Sequence, residues 1–561
     1  AGAQRESLKP QRFSPGLDHA MDPRPAATVR HPPAVPAPTL LGRDVPVVVD
    51  EGLEVSLQQL DAALLEVILW MLDARALAAV GSCGRSLRQL VTAVAEARCA
   101  RAGADRSFSC MQAAVLQRRP DETFVQLLAL REQAERRAGG RRLLAAGTAH
   151  TLAVSPCGRL FACGRNGSGQ LGTGQTHDNG CEEYEESLVT VTPLGFDRIV
   201  CCSCGDESTL AIDDRLRLFS WGHGHGSGEI TVPLPRLVEM PVLVSSVASG
   251  GQHAAAIDVE GRLWTWGIGV NGQLGHPDAT SLPRPKLVAT FSDPCSAEGM
   301  PGQMPLRASS VDCGAQHTAV IDSTGCLWTF GRGWLGHDSR PTLAQVTPCK
   351  VTMHSDAKLV DVSCGEGHTA VLTDAGALYT FGLNTVGQLG DPRRSAPTPC
   401  MLEHPVFRAS GVVQVACGRA HTVVLTGLGA VYSWGDGSSG QLGHDEYPPM
   451  MREIGDAPSY CSEPRLVDMP PPPVSARAQT KLTHGTGEPE PAPLLPEDRA
   501  ERQQERAVEI CCGAAHTVAR LASGRLVSWG AGSWGRLGQG GQQDKREPAE
   551  VVSPTRWAGW R

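Results

Sequence analysis

The chain has 561 residues, a formal net charge of −8 and 19 cysteines, with 63 glycines and 41 prolines. Its length allows more than one domain, and the mild negative balance excludes the broad basic footprint of a general nucleic-acid binder. No apolar run reaches the length of a membrane span and no secretory signal pattern is seen, so membrane association is not expected.

Residues 1–50 are rich in proline and arginine without periodicity (PRPAATVRHPPAVPAP) and are predicted to be disordered. The chain begins at Ala1, and Met21 is a candidate natural start. Between 56 and 100 the character changes. Leu60, Leu64, Ile68 and Leu72 recur every fourth residue with Leu65 and Leu69 beside them, which predicts an amphipathic helix. Asp61 is placed to cap it, and Asp73 to cap a second helix carrying Leu77 and Val80. A third helical pattern runs through Leu87, Leu90, Val91 and Val94. Within a linker of 101–140, residues 121–138 (DETFVQLLALREQAERRA) read as one more helix that ends at Gly139-Gly140.

From 141 to 555 one unit recurs seven times. Each copy has a glycine, two variable residues, a histidine, an apolar strand, a turn, and a strand ending in aromatic-glycine. The histidine positions are His150, Ser208, His253, His317, His368, His421 and His516, and the strand ends are Cys163, Trp221, Trp266, Phe330, Phe381, Trp434 and Trp529. The two are thirteen residues apart in every copy, whereas the distance between copies varies. That combination means one supersecondary unit with insertions confined to loops. Most copies close on a glycine-rich loop, such as NGSGQLG at 166–172, GSSGQLG at 437–443 and GSWGRLG at 532–538.

Each unit reads as four short antiparallel strands, the first being a proline-flanked segment such as LPRLVEM (234–240) or EPRLVDMP (463–470). The predicted fold is mainly β: a seven-bladed β-propeller of four-stranded blades, preceded by the small helical region. Copy one has no such leading segment, and a spare one follows copy seven. The expectation is therefore that residues 547–552 complete the first blade and fasten the ring. Insertions at 291–306 and 473–506 both project from one face, the second being proline-rich and flexible, while the Gly-x-x-His turns and glycine-rich loops lie on the other.

Cys204, Cys313, Cys364, Cys417 and Cys512 share one register just before the repeat glycine, a place for a small apolar side chain. The cysteine pattern lacks a disulfide framework and points to a reducing compartment, so a cytoplasmic or nuclear location is expected. The Cys201, Cys202, Cys204 cluster lacks the second ligand pair a zinc site needs. Neither a phosphate-binding loop nor a His-Glu-x-x-His pair is present. Histidines spread around a ring, without a repeated carboxylate or nucleophile, read as architectural: His150, His253, His317, His368, His421 and His516 are structural repeat positions, and no catalytic, cofactor or metal residue is assigned. Trp334 and Trp534 stand in loops and are candidate anchors for a protein partner.

Gly-x-x-His-Thr, the aromatic-glycine strand end and the Gly-Gln-Leu-Gly loop together resemble the regulator of chromosome condensation repeat family over roughly 141–555. The resemblance implies a seven-bladed propeller, and its precedents imply protein binding: nucleotide exchange on a Ran-like small GTPase, or a binding platform. Its ultraviolet-B-sensing members carry tryptophan between the glycine and the histidine. No copy here does, which excludes that photochemistry. Residues 60–90 (LDAALLEVILWMLDARALAAVGSCGRSLRQL) resemble the F-box, although Leu60-Asp61 stands where leucine-proline is common. That resemblance implies docking of a Skp-type adaptor and a cullin through Leu60, Leu64, Leu65, Ile68, Leu72, Leu77 and Val80, with the propeller holding the client; the alternative reading of the same apolar pattern is a helical cap packed on the next domain, in a non-catalytic scaffold with no ligase connection. The order of helical segment and propeller is that of plant and algal members.

Overall fold

The computed structural model describes residues 142–155, 157–174, 184–191, 198–223, 231–291, 306–337, 344–353, 357–392, 395–444, 460–471 and 504–552. The expected disordered segment 1–50, the expected helices of 56–100 and 121–138, and most of both insertions lie outside these residues.

Twenty-eight strands form seven antiparallel sheets of four, a seven-bladed propeller. In every sheet the strands pair in the order in which they occur along the chain. Blade 1 comprises Leu144–Ala146, His150–Val154, Leu160–Arg165 and Tyr184–Thr190. Blade 7 comprises Ala507–Cys512, His516–Leu521, Leu526–Gly530 and Lys545–Glu550. The first strand of each blade is innermost, and inner strands of successive blades adjoin around the axis, the last against the first.

The constant spacing of the repeat is the register of one hairpin. His253 pairs with Gly267 and His317 with Gly331, so the histidine opens the second strand directly opposite the glycine that ends the third. Gly267 has φ +103°, and a β-carbon there would lie 2.6 Å from the Gln252 oxygen and 2.8 Å from His253 Cα. No side chain fits. Second strands such as His317–Asp322 are buried along their whole length, because neighbouring blades cover both faces of each sheet. Their near-continuous apolar sequences follow from that. Outer strands are half-exposed and carry prolines, as in Val232–Leu237 and Leu282–Leu287, since an edge strand can give up N–H donors.

The strand assignment differs from the sequence expectation. The proline-flanked segment is the outer strand of the unit before it: Leu237 pairs with Phe219 of its own blade, and the glycine-rich loop is the turn that brings it back. The first blade is complete with Tyr184–Thr190, whose sequence YEESLVT contains no proline and so did not match the pattern. Residues 547–552 accordingly do not complete blade 1. Lys545–Glu550 pairs with Leu526–Gly530 and finishes blade 7.

The ring closes by packing and side-chain bonds between whole blades. Leu144, Phe161, Cys163 and Leu188 pack against Cys511, Val518, Leu526 and Val551. Glu509 Oε1 accepts the Leu143 and Leu144 amides at 3.0 and 3.2 Å. Its Oε2 stands 3.2 Å from the Arg520 guanidinium, both side chains being almost fully buried. Gly540 N donates to the Glu186 carbonyl at 2.8 Å, carrying the last glycine-rich loop onto the first outer strand.

Candidate functional site

Up-and-down strand order puts the six Gly-x-x-His turns, the Gly205-to-Ser208 turn of blade 2 and the glycine-rich loops on one face, around the axis. The turn glycines form a closed circle: a β-carbon on Gly205, Gly365 or Gly418 would in each case lie 2.6 Å from the carbonyl oxygen of the corresponding glycine in the next blade. The circle is the mouth of an axial cavity of about 340 Å³.

Each of six imidazoles crosses a seam between blades. His150 Nε2 reaches Thr209 Oγ1 at 3.1 Å, His253 reaches Thr318 at 2.9 Å, and His317 reaches Thr369 at 2.9 Å. His368 reaches Thr422 at 2.9 Å, His421 reaches Thr517 at 3.1 Å and His516 reaches Thr151 at 2.8 Å. The Thr209, Thr318 and Thr422 hydroxyls donate onward to the Gln170, Gln273 and Gln388 carbonyls, all at 2.8 Å. A hydroxyl has one proton to give, so the imidazole must be the donor, which fixes the neutral Nε2–H tautomer. Burial agrees, pushing His150, His317 and His421 down to about 4 and His368 to about 3. An imidazole locked as a neutral donor inside a seam has no proton to exchange with a substrate. The aromatic strand ends serve the same seams: Trp221 and Trp434 Nε1 donate to the Gln170 and Gln388 carbonyls at 2.9 and 3.0 Å.

The cavity is polar. Arg142, immediately ahead of blade 1, forms its floor: one guanidinium nitrogen donates to Asp312 Oδ1 of blade 4 at 3.3 Å, the other to the Val362 carbonyl of blade 5 at 3.4 Å. Asp312 holds that guanidinium charged, its pKa raised above the ordinary range. At the mouth, Thr148 donates to Asp206 at 2.6 Å and Arg419 donates to Glu366 at 2.6 Å. Burial raises the pKa of Asp206. The repeat-register thiols Cys204, Cys313, Cys364, Cys417 and Cys512 border the cavity, and burial raises them too, Cys417 to about 12. They are protonated and inert toward electrophiles. All described cysteines are free, and among the described residues no group of His, Cys, Asp or Glu is placed to hold a metal ion.

Trp534 lies on the same face at the seam between blades 7 and 1. Its ring is half-buried, with the Arg536 guanidinium 4.9 Å and the Arg165 guanidinium 5.5 Å from the ring centroid. Arg536 is itself fixed by donating to the Ser533 and Thr148 carbonyls at 3.0 and 2.9 Å. Trp534 has φ +57°, a conformation a bulky side chain adopts at a cost. Trp334 occupies the shorter loop of blade 4 and is also half-buried.

The cluster Leu60, Leu64, Leu65, Ile68, Leu72, Leu77 and Val80 lies outside the described residues. Sequence reasoning missed Arg142, Asp312, Asp206, Glu366 and the two arginines beside Trp534. For Asp312 a signal existed: a carboxylate inside a short strand of otherwise small residues (ASSVDC) has to face something polar. The arginines gave none, because their partners are distant in sequence.

This arrangement has relatives. Residues 157–212 match the profile of the Regulator of chromosome condensation (RCC1) repeat. The Ultraviolet-B receptor UVR8 of Arabidopsis thaliana is 29% identical over 418 residues, 72% of this chain and 80% of its own length. The E3 ubiquitin-protein ligase HERC2 of Mus musculus is 26% identical over 410 residues, 70% of this chain but 7% of its own length, so there the likeness is to a small part of a much longer protein. The RCC2 homolog of Danio rerio is 33% identical over 257 residues, 39% of this chain and 49% of its own. Human WBSCR16, at 21% identity, superposes with a TM-score of 0.53 over 71% of this chain and 94% of its own, a likeness of fold. Residues 223–558, more than half of the sequence, match the profile of the RCC1-like domain, and with the seven blades and their histidine seams the chain belongs to that family.

Proposed function

We propose that the propeller is a protein-binding platform whose loop face, centred on Trp534, holds a protein client, and that residues 56–100 dock a Skp-type adaptor so that the client is delivered to a cullin-type ubiquitin ligase. The observation that carries the platform is Trp534: an aromatic side chain in a strained backbone conformation, braced by two arginines on a rigid disc. Interface anchors have that character, being large, pre-ordered and half-buried before the partner arrives. The adaptor half rests on the apolar period of Leu60, Leu64, Ile68 and Leu72.

Affinity capture on the full chain separates the halves. Recovery of a Skp-type adaptor that is lost with Leu64→Asp, beside a second protein lost with Trp534→Ala, supports both. A small GTPase retained only in its nucleotide-free form would replace the ligase reading with nucleotide exchange. Failure of Leu64→Asp to release any adaptor removes the ligase half and leaves the platform to stand on Trp534.

A further inference from the structure

Blade 2 departs from a rule that the other six keep. The turn between second and third strands contains a glycine with φ between +76° and +91° at Gly158, Gly261, Gly325, Gly376, Gly429 and Gly524. In blade 2 the position is Leu216, at φ +62°. A leucine there costs about 1–2 kcal/mol relative to an unstrained backbone. Its side chain packs only in part, against the core between blades 2 and 3 together with Val238 and Met240.

What surrounds Leu216 is apolar and open. Its carbonyl accepts Val244 N at 2.9 Å, and the Leu243 carbonyl accepts Val259 N at 3.1 Å, so Leu216, Leu243 and Val259 stand on adjoining turns of the face opposite the glycine circle. Leu237, Leu243 and Val259 are 55%, 49% and 52% exposed. Of nine exposed large hydrophobic residues among those described, these three share this face of blades 2 and 3, whereas Leu234 and Val270 of the same blades lie toward the glycine-rich loops. Single exposed apolar residues need no explanation, but a contiguous group marks a contact surface.

The entry of the chain indicates what covers it. The Arg142 carbonyl accepts Cys202 N of blade 2's inner strand at 3.0 Å, at the end of the cavity away from the glycine circle. Arg142 therefore stands at the patch end of the axis, beside blade 2. Four residues upstream ends the stretch 121–138, in which Phe124, Leu127 and Leu128 fall on one helical face. As a helix, its eighteen residues extend about 27 Å. Asp121, Glu122 and Glu132 give it carboxylates for Arg236, which is exposed beside Leu237.

We propose that residues 121–138 dock through Phe124, Leu127 and Leu128 on the surface formed by Leu216, Leu237, Leu243 and Val259, seating the N-terminal region against blades 2 and 3. Hydrogen–deuterium exchange of the full chain tests it, with the double variant Leu243→Ser/Val259→Ser, which changes only exposed side chains. Amides of 121–138 are expected to be protected in the parent and to exchange about tenfold faster in the variant, while His253–Asp258 at the centre of blade 3 stays equally protected. Rates typical of an unstructured chain in the parent overturn the proposal, because nothing then docks. Protection that persists in the variant overturns it too, because the segment is then held elsewhere. Should Leu243→Ser/Val259→Ser also loosen His253–Asp258, Phe124→Ser answers the same question from the other side of the contact. It must free 121–138 and leave blade 3 unchanged, and protection that survives it overturns the proposal.

Discussion

His516 Nε2 in the last blade lies 2.8 Å from the Thr151 hydroxyl in the first, and that hydroxyl donates to the Arg536 carbonyl at 2.7 Å. An imidazole-to-hydroxyl contact of this kind crosses five further seams. The seam between blades 2 and 3 lacks it at both ends, for Ser208 holds the histidine position and Ala254 the threonine position. The two losses belong together, since either partner alone would bury a polar group that its neighbour could not satisfy.

Thr151→Val keeps the shape and removes the hydroxyl, leaving the buried His516 N–H without a partner and the Arg536 carbonyl with only the weak Cys163 thiol donor at 3.6 Å. The expected loss is about 2 kcal/mol, read as a lower urea midpoint at unchanged slope. The complementary experiment installs the missing bond. In a double-mutant cycle, Ser208→His and Ala254→Thr should couple favourably by about 1 kcal/mol. A coupling of zero would mean that the hydrogen bond contributes nothing beyond packing.

The repeat count, blade number and hairpin register were legible in the sequence because each follows from a local spacing that a single turn dictates. Closure was not. A proline-flanked strand between two units fits as the first strand of the next or the last of the previous, and Tyr184–Thr190 lacks the proline that would have broken the tie. What fastens the ring are pairs such as Leu143 with Glu509, 366 residues apart, and no local pattern announces a contact at that separation. Loop-face chemistry was half visible: Trp534 stood out by residue type, whereas Arg165 and Arg536 acquire meaning only from being folded against it.

Acid should unfold the ring through its seams. An imidazole in the unfolded chain takes a proton near 6.5, while burial holds His150, His317 and His421 near about 4. Between those values the unfolded chain binds more protons, so stability rises with pH by about 1.4 kcal/mol per unit for each such histidine. Above 6.5 both states are neutral and this dependence ends. Melting temperature should therefore be flat from pH 7 to 8 and fall steeply from about 6.5 toward 4, less steeply in His421→Gln. An equally steep fall in that variant would assign acid sensitivity elsewhere.

Glu509→Ala should be more damaging than any surface ion-pair loss. It strands the Arg520 guanidinium in a buried site and removes the acceptor of the Leu143 and Leu144 amides. Breaking one side of a buried pair costs about 3–5 kcal/mol. Glu509→Leu/Arg520→Leu takes the charge out of the seam and should recover part of that loss. It should not recover all of it, because the two amides stay without an acceptor. Chemical denaturation of the three proteins orders them, and a double variant less stable than Glu509→Ala would contradict this account.

Asp361 provides the opposite pH dependence at the axis. Its Oδ1 accepts the Val362 amide at 3.0 Å, and burial raises its pKa to about 6 although Arg142 pulls the other way. An unfolded aspartate titrates near 3.9. Because the fold favours the protonated form, this stabilisation is complete below about 4 and is lost as pH rises through 6. Asp361→Asn has no proton to lose, so it should exceed the parent in stability at pH 8, by about 1–2 kcal/mol once water at the half-exposed carboxyl is allowed for, and match it at pH 4. Arg142→Ala should extend the decline beyond pH 6, where the parent's has levelled off, since Asp361 then loses the cation that partly offsets its burial and its pKa rises further. If Asp361→Asn instead weakens the ring at pH 8, the carboxylate is a net stabilising partner of Arg142 and the axis is balanced rather than charged in excess.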